Sequence, residues 1–246
     1  MWVRRSSVTA LLVAVVAVVA VVAGAAVAGA SGAVAGGAPS APRAVTLLLG
    51  SRAVPGFRLD GAPVSRRVTR ASNRSCDTFG PPGSTFASET FTRGGAHATG
   101  FGTTEALAEA LVVTRSPAQA RRVLRGLASY ARRCIGGDSR LANGVTTGPT
   151  RVTDRPAPHV RGAVAGRVVT VQRDVTSTTS GSTQREHVTL RLLAYRTSRV
   201  VVVLVPLRFT AGGTATHGTV TLGDTAGLRA LASRAAGQAL RAANRS

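Results

Sequence analysis

The pattern of apolar and polar positions in the second half of the chain predicts several β-strands. Four apolar residues alternate with polar ones, as in a strand that buries one face: Val188, Leu190, Leu192 and Ala194. Residues 200–205 are apolar at every position, which is typical of a central strand covered on both faces. We also expect a strand over residues 164–175, a turn or loop over 176–184 and a tight connection over 196–199.

The clearest helix is predicted between residues 116 and 134. Ser116 is a typical N-cap, Pro117 suits the first helical position, and Gln119 completes a capping box. Apolar residues recur at helical spacing and end on a cysteine: Ala120, Leu124, Leu127, Ala131 and Cys134. Five arginines lie mostly off this stripe: Arg121, Arg122, Arg125, Arg132 and Arg133. Gly136 and Gly137 then end the helix.

Shorter patterns predict the remaining elements. We expect a short apolar helix over residues 44–52, and a loop with little regular structure over 58–83. Three strands are predicted over residues 84–92, 96–102 and 107–114. The last element is an amphipathic helix that begins at a cap, Asp224 or Thr225, and turns four residues inward: Leu228, Leu231, Ala235 and Ala239.

This order of elements predicts the fold class. Helix, strands, helix, strands and helix follow one another without an internal repeat. Such an order favours a single α+β domain, in which an antiparallel sheet carries helices packed on one face.

The N-terminal segment has the pattern of an export signal. Residues 1–7 contain Arg4 and Arg5 without an acid, and residues 8–30 are uncharged and mostly Val, Ala and Leu. Small residues offer cleavage sites up to Ala30, which predicts a signal peptide over residues 1–30. The uncharged run also reaches the ~20 residues that span a bilayer, so a membrane anchor over residues 8–30 stays open. Both alternatives place the rest outside the cytoplasm.

A linker and one domain are predicted after that segment. Residues 31–43 are rich in Gly, Ala, Ser and Pro and are expected to be flexible. Residues 44–246 fit one extracellular domain of ordinary size. Apolar residues make up 44% of the chain, which is enough to build a core.

Cys76 and Cys134 are the two cysteines of the chain. An even number in an exported protein favours a disulfide, which would tie the end of the predicted helix to the preceding loop. Two buried free thiols are the alternative. A zinc site is disfavoured, because the four histidines are scattered along the sequence: His97, His159, His187 and His217.

The chain is strongly basic, with 31 basic residues against 10 acidic ones. All the basic residues are arginines, and the lack of lysine excludes a P-loop lysine, a Schiff-base lysine and a Ser-x-x-Lys nucleophile. Such a surface attracts polyanions through steering that salt weakens. Outside a cell the candidates are anionic lipids, phosphate-rich wall polymers and acidic polysaccharides. Aromatic residues make up 4%, which disfavours a base-stacking platform for nucleic acid.

The five arginines of the predicted helix are the candidate anion-contacting residues. Arginine suits phosphate and carboxylate groups because its planar guanidinium binds them with two parallel hydrogen bonds. The alternative is a solvated helix face in a chain whose composition favours arginine. No residue pattern indicates a cofactor.

No catalytic motif was found. Gly-x-Ser-x-Gly and His-Glu-x-x-His are absent, and Gly137-Asp138-Ser139 is interpreted as an ordinary loop. Glu105 and Glu109 are a close acidic pair, which we interpret as solvated acids or partners of arginines. Glu186 and His187 adjoin, but neighbours on a strand point to opposite faces. Distant residues can still converge into a Ser/His site, so a secreted hydrolase stays an alternative.

The layout resembles the PknH-like extracellular sensor domains of actinobacterial Ser/Thr kinases and their stand-alone exported relatives, over about residues 44–243. The resemblance rests on the turn Val54-Pro55-Gly56-Phe57 after a short helix, on Cys76 in a polar loop, on the strand and Ser-Pro-capped helix of residues 111–127, and on Cys134 closing that helix. It implies an α+β fold with a cleft for an unknown ligand. Members often carry a second disulfide, which this chain lacks, and no ligand-contact residue can be carried over.

These observations favour an exported, non-catalytic sensor or ligand-binding domain at the cell envelope. Its expected partner is an unknown small molecule or an anionic envelope component. A structural or accessory envelope protein that acts by protein contact is a further alternative.

Overall fold

The computed structural model describes residues 42–50, 54–94, 102–135, 145–179, 182–213, 217–223 and 225–245. Within these ranges the chain forms four helices: α1 (Pro42–Val45), α2 (Arg70–Arg74), α3 (Pro117–Cys134) and α4 (Ala226–Arg245). Ten strands join in one sheet: β1 (Arg58–Leu59), β2 (Val64–Arg67), β3 (Thr85–Gly94), β4 (Gly102–Val113), β5 (Val145–Thr147), β6 (Arg151–Pro156), β7 (Ala165–Thr179), β8 (Ser182–Arg196), β9 (Val200–Gly213) and β10 (His217–Gly223).

The sheet runs in the order β1-β3-β4-β9-β10-β8-β7-β5, with β2 also paired to β3 and β6 to β7. Its described pairs are antiparallel except β8 with β10, which is parallel. Near their connecting turn β8 and β9 pair directly, from Leu193↔Leu204 to Arg196↔Val201. Further along these strands separate, and β10 lies between them.

The sheet is buried on both faces, and each face has its own core. Along β9, Val201, Val203 and Val205 pack with α3 in one apolar cluster. Val202 and Leu204 point to the other face and pack with α1 and α4 in a second cluster. The two largest helices therefore lie on opposite sides of the sheet.

The predicted α+β class and the single sheet are confirmed, but the placement of the helices on one face was wrong. Residues 200–205 are buried at every position, so both faces of β9 need apolar cover. α3 covers one face, and α1 with α4 covers the other.

Most predicted strands are present with altered bounds. The strands expected at 84–92, 107–114 and 164–175 correspond to β3, β4 and β7. The tight connection expected at 196–199 is also present, and in it Thr197 N donates a hydrogen bond to Val200 O. The loop expected at 176–184 was wrong, because strand residues reach Thr179 and resume at Ser182. Threonine favours strands, which explains the extension. Most of the strand expected at 96–102 lies outside the described residues.

The first part of the chain has more structure than expected. Residues 58–83 contain β1, β2 and the short helix α2, which Thr69 caps through its side chain. The helix expected at 44–52 is wrong over residues 46–50, and residues 51 and 52 lie outside the described part. The backbone N–H groups of Leu49 and Gly50 donate to two glutamates of the sheet instead of continuing a helix.

The two long helices agree with their predicted caps. Ser116 Oγ accepts from Gln119 N at 3.3 Å, and Pro117 is the first residue of α3. The side chain of Gln119 accepts from Arg115 N rather than from Ser116 N, so the capping box is incomplete. Of the two candidate caps for α4, Thr225 accepts from Leu228 N at 3.3 Å. The expected glycine stop after α3 lies outside the described residues.

The predicted disulfide is present between Cys76 and Cys134. It joins the last residue of α3 to the turn after α2, across 58 positions of sequence. The hydroxyl of Tyr130 donates to Cys76 O at 3.1 Å, so a second contact holds the same turn against α3.

Two predictions at the N-terminus lie outside the described residues, namely the export segment over residues 1–30 and most of the linker. Among the helices of the described part, none is long and apolar enough to cross a membrane.

Candidate functional site

The outer surface of α3 is the candidate site. The helix carries its arginines on this surface and its buried residues on the side that faces the sheet. Six residues of α3 are buried against the sheet: Ala120, Val123, Leu124, Leu127, Tyr130 and Ala131. At about 100° per residue, the five arginines occupy an arc of about 120° on the opposite side. All five are exposed, as their spacing predicts: Arg121, Arg122, Arg125, Arg132 and Arg133. We call these residues the arginine face.

The arginine face forms two rows along the helix. Arg121, Arg125 and Arg132 lie within about 40° of one another, while Arg122 and Arg133 form a second row beside them. Within the described residues, no ion pair joins any of the five to a carboxylate. The Arg133 guanidinium lies 5.9 Å from the ring centre of Tyr130. The charge of this surface is therefore not neutralised by the described acids.

Arg196 adds a buried positive charge near the start of α3. Its residue is 8% exposed, its Nη1 donates to Thr197 O at 2.9 Å, and its Nε has no partner among the described groups. Burial lowers the pKa of Arg196, and the charge of nearby Arg121 lowers it further. Sequence patterns did not indicate a role for Arg196, because the end of β8 comes near α3 only through the fold.

A void beneath α3 is too small for an organic ligand. Its volume is about 10 Å³, which is the space of about one water molecule. The void is apolar and lies between α3 and the sheet: Phe79, Ala110, Leu127, Tyr130, Leu192 and Val203. Ligand binding at α3 would therefore take place on its surface.

The opposite face of the sheet carries a row of paired charges. Glu105 stands between Arg93 and Arg208 in the strand register. Arg93 Nε donates to Glu105 at 2.8 Å, and Arg208 Nε donates at 3.0 Å. Burial alone would raise the pKa of Glu105, but the two arginines outweigh it and hold this pKa below its ordinary value. The interpretation of Glu105 as a partner of arginines is confirmed.

Glu109, four residues further along β4, has a different environment. It lies directly opposite Glu89 of β3, and the two residues are 0% and 4% exposed. Leu49 N donates to Glu109 Oε2 and Gly50 N donates to Glu89 Oε1, each at 2.9 Å. Burial raises the pKa of Glu109 well above its ordinary value, and the neighbouring carboxyl group of Glu89 raises it further. The interpretation of Glu109 as solvated or paired with arginine was wrong.

A His–Asp contact is present, but in an exposed place. His187 Nδ1 lies 2.6 Å from Asp174 Oδ1, and Thr189 Oγ1 lies 3.3 Å from His187 Nε2. This is the order of groups in a nucleophile–base–acid triad. However, the side chains of His187 and Asp174 are 53% and 75% exposed on an open strand surface. A catalytic triad gains its effect in a site that excludes water, and this arrangement does not form one.

Among the described residues, Glu186 and His187 do not form a joint site. Glu186 is buried and its neighbour His187 is exposed, as their adjacent strand positions predict. Burial raises the pKa of Glu186, and the charge of Arg173 opposes that shift. Gly137-Asp138-Ser139 and His97 lie outside the described residues. Within the described part, no three His, Cys, Asp or Glu side chains are grouped to hold a metal ion.

Comparison with known proteins gives one loose likeness. No family model matches the chain, and no curated protein matches it. Among solved structures, it is similar to the crystal structure of the extracellular domain of PknH from Mycobacterium tuberculosis, at 14% identity, with 86% of this chain and 100% of that chain covered and a TM-score of 0.44. This likeness is a loose structural similarity without a family match.

Proposed function

We propose that the protein is an exported, non-catalytic domain of the cell envelope that binds phosphate-bearing envelope components through the arginine face of α3. The observation that carries the proposal is the set of five exposed arginines on one arc of a helix, without ion pairs to the described acids. Guanidinium groups bind phosphate with paired hydrogen bonds, and arginine is always charged.

The surroundings of α3 support the same role. Arg196 lies near Arg121 and places a further positive charge beneath the helix. The disulfide and the hydroxyl of Tyr130 hold the C-terminal end of α3 against the domain. A fixed helix keeps the spacing of the arginines, which lowers the entropic cost of binding several phosphates at once.

Export and the non-catalytic role are parts of the same proposal. A basic segment followed by an uncharged apolar run supports export, and a disulfide persists in an oxidising compartment. The exposed positions of His187 and Asp174 support a role without catalysis.

The test uses two arginine triples with the same change of net charge. Binding to phosphatidylglycerol vesicles and to inorganic polyphosphate is measured for the wild type and for Arg121→Gln/Arg125→Gln/Arg132→Gln. An arginine at an anionic surface contributes about 1 kcal/mol, so the triple should weaken binding about 100-fold and reduce its salt dependence. The two probes distinguish a lipid headgroup from a free phosphate polymer.

The control triple is Arg229→Gln/Arg234→Gln/Arg241→Gln on α4. These arginines are exposed on a helix that covers the other face of the sheet. The control should keep most of the wild-type affinity. Equal losses in both triples would show a response to net charge alone, and the absence of wild-type binding to either probe at low salt would overturn the proposal.

A further inference from the structure

The carboxyl pair Glu89–Glu109 lies beneath the first described segment of the chain. Residues 44–50, which we call the strap, lie against the face of the sheet that α4 covers, and their Ala44 and Leu47 are buried in the core on that face. The strap ends with two backbone N–H groups that point at the pair, one for each carboxyl group. Gly50 has φ of +69°, a conformation that glycine adopts without strain.

The hydrogen bonds leave one oxygen of each carboxyl group without a donor. These atoms are Glu89 Oε2 and Glu109 Oε1, and both are inaccessible to solvent. Two carboxylates side by side in a place without water would repel each other and lose their hydration. One proton shared between the two oxygens gives each a partner and removes one of the charges. The buried pair therefore binds a proton in the closed strap.

Among the side chains that the structure describes around the pair, none supplies a positive charge that could replace this proton. The strap contributes no titratable side chain, and β9 presents Leu204 opposite Glu109. Arg93 and Arg208 are both paired with Glu105, about 13 Å further along β4. On β1 and β2 the same face presents Leu59 and Ser65, followed by the exposed Arg67. The buried side of α4 is apolar, and the three arginines of α4 whose burial is described are exposed: Arg229, Arg234 and Arg241.

We propose that Glu89 and Glu109 form a proton-binding site that holds the strap closed in acid and releases it when the proton is lost. The ligand of this site is the proton, and the response is the exposure of residues 44–50. This inference does not rest on phosphate binding by the arginine face, which lies on the opposite side of the sheet.

The direction of the response follows from proton linkage. The pKa of Glu109 is raised in the closed state above the ordinary value of 4.5. Between pH 4.5 and the raised pKa of Glu109, the closed state therefore binds more protons than the open state. The stability of the closed state falls as the pH rises through this range.

The position of the strap gives the response a mechanical consequence. The strap follows the predicted export segment and linker directly. If residues 8–30 stay in a membrane as an anchor, release of seven residues lengthens the tether of the domain by up to about 20 Å. Acidity would then set how far the arginine face reaches from the membrane.

The test combines a carboxyl titration with hydrogen exchange. The side-chain carboxyl ¹³C shifts of Glu89 and Glu109 are followed from pH 4 to 9, together with exchange of the Leu49 and Gly50 amides, corrected for the intrinsic pH dependence of exchange. We expect one proton to be lost well above pH 4.5, and amide protection to fall more than 10-fold across the same transition.

The variant Glu109→Gln separates proton binding from packing. A glutamine has the shape of the protonated acid, so it can accept from Leu49 N and donate to Glu89 Oε2 at every pH. The strap of this variant should stay protected up to pH 9. The matched control is Glu186→Gln, which neutralises a buried carboxyl group away from the strap and should keep the wild-type transition.

Three results would overturn the proposal. The first is titration of both wild-type carboxyl groups near pH 4.5. The second is strap protection that stays constant from pH 5 to 9, and the third is a Glu109→Gln variant that keeps the wild-type pH dependence. If Glu109→Gln does not fold, the titration and exchange of the wild type alone decide between the two outcomes.

Discussion

At the scale of single residues, burial controls the ionisation of both tyrosines of the chain. Tyr130 on α3 is 6% exposed and Tyr195 on β8 is 0% exposed. Burial raises the pKa of Tyr130 to about 12, and it raises the pKa of Tyr195 as well. The two rings lie in different cores, so both faces of the sheet protect a phenol from water.

A spectrophotometric titration checks this protection. The native protein should show little phenolate absorbance at pH 10, where an exposed tyrosine is half ionised, and Tyr130 should ionise near pH 12. Because the folded pKa is raised, this contribution to stability is complete below pH 10 and is lost as the pH rises toward 12. Half-ionisation near pH 10 in a protein with native circular dichroism would contradict the burial.

Glu105 and Glu109 show why residue roles could not be predicted from the sequence. The two glutamates lie four residues apart on the same face of one strand, and their sequence contexts are alike. Arg93 and Arg208 keep Glu105 charged, whereas Glu89 opposite Glu109 favours a shared proton. The difference comes from strand register, which short apolar patterns do not fix.

At the scale of elements, α3 could be predicted in detail because its signals are local. The cap, the proline at the first turn and the apolar stripe all lie within 19 residues, from Ser116 to Cys134. Its exposed arginines follow from the same spacing. Arg196 could not be predicted, since its contact with α3 depends on how β8 crosses the sheet.

Removal of the α3 cap should destabilise the protein by a modest amount. Ser116→Ala removes the hydroxyl that accepts from Gln119 N, which typically costs about 1 kcal/mol. The free energy of unfolding is measured in urea. Ser129→Ala on the exposed side of the same helix is the control, and it should be neutral or slightly stabilising because alanine favours helices. Equal losses in both variants would contradict the capping role.

The short elements and the placement of the helices could not be predicted in the same way. α1, β1 and β5 have two to four residues each, too few for a periodic pattern. The strand β10 was missed because its pairing with β8 and β9 depends on how the chain folds back on itself, which no local pattern shows. A signal for helices on both faces was nevertheless present, since residues 200–205 are apolar at every position.

At the scale of the whole molecule, the disulfide links two parts of the chain that are otherwise joined by the sheet. Cys76 follows α2, and Cys134 is the last residue of α3. The strands β3 and β4 lie between the two cysteines in the sequence. The loop of 58 residues is long, so closing it restricts the unfolded chain strongly. The sequence predicted this bond because export and an even cysteine count both pointed to it.

Loss of the disulfide should cost about 2–4 kcal/mol of stability. The double variant Cys76→Ser/Cys134→Ser is compared with the wild type by urea unfolding, with and without a reducing agent. The reductant should lower the stability of the wild type to about that of the variant and leave the variant unchanged. Alkylation of both sulfurs in the untreated native protein would show that the bond is not formed.

The last strand enters the sheet between two strands that are already connected by a short turn. β10 is hydrogen-bonded to β8 on one edge and to β9 on the other, and α4 comes after it in the chain. Until residue 223 has been synthesised, β8 and β9 therefore leave an open slot of unpaired backbone groups, which is a template for association with other chains. The sheet is complete only when β10 is available, so translocation in an unfolded form would match the order in which this fold can close.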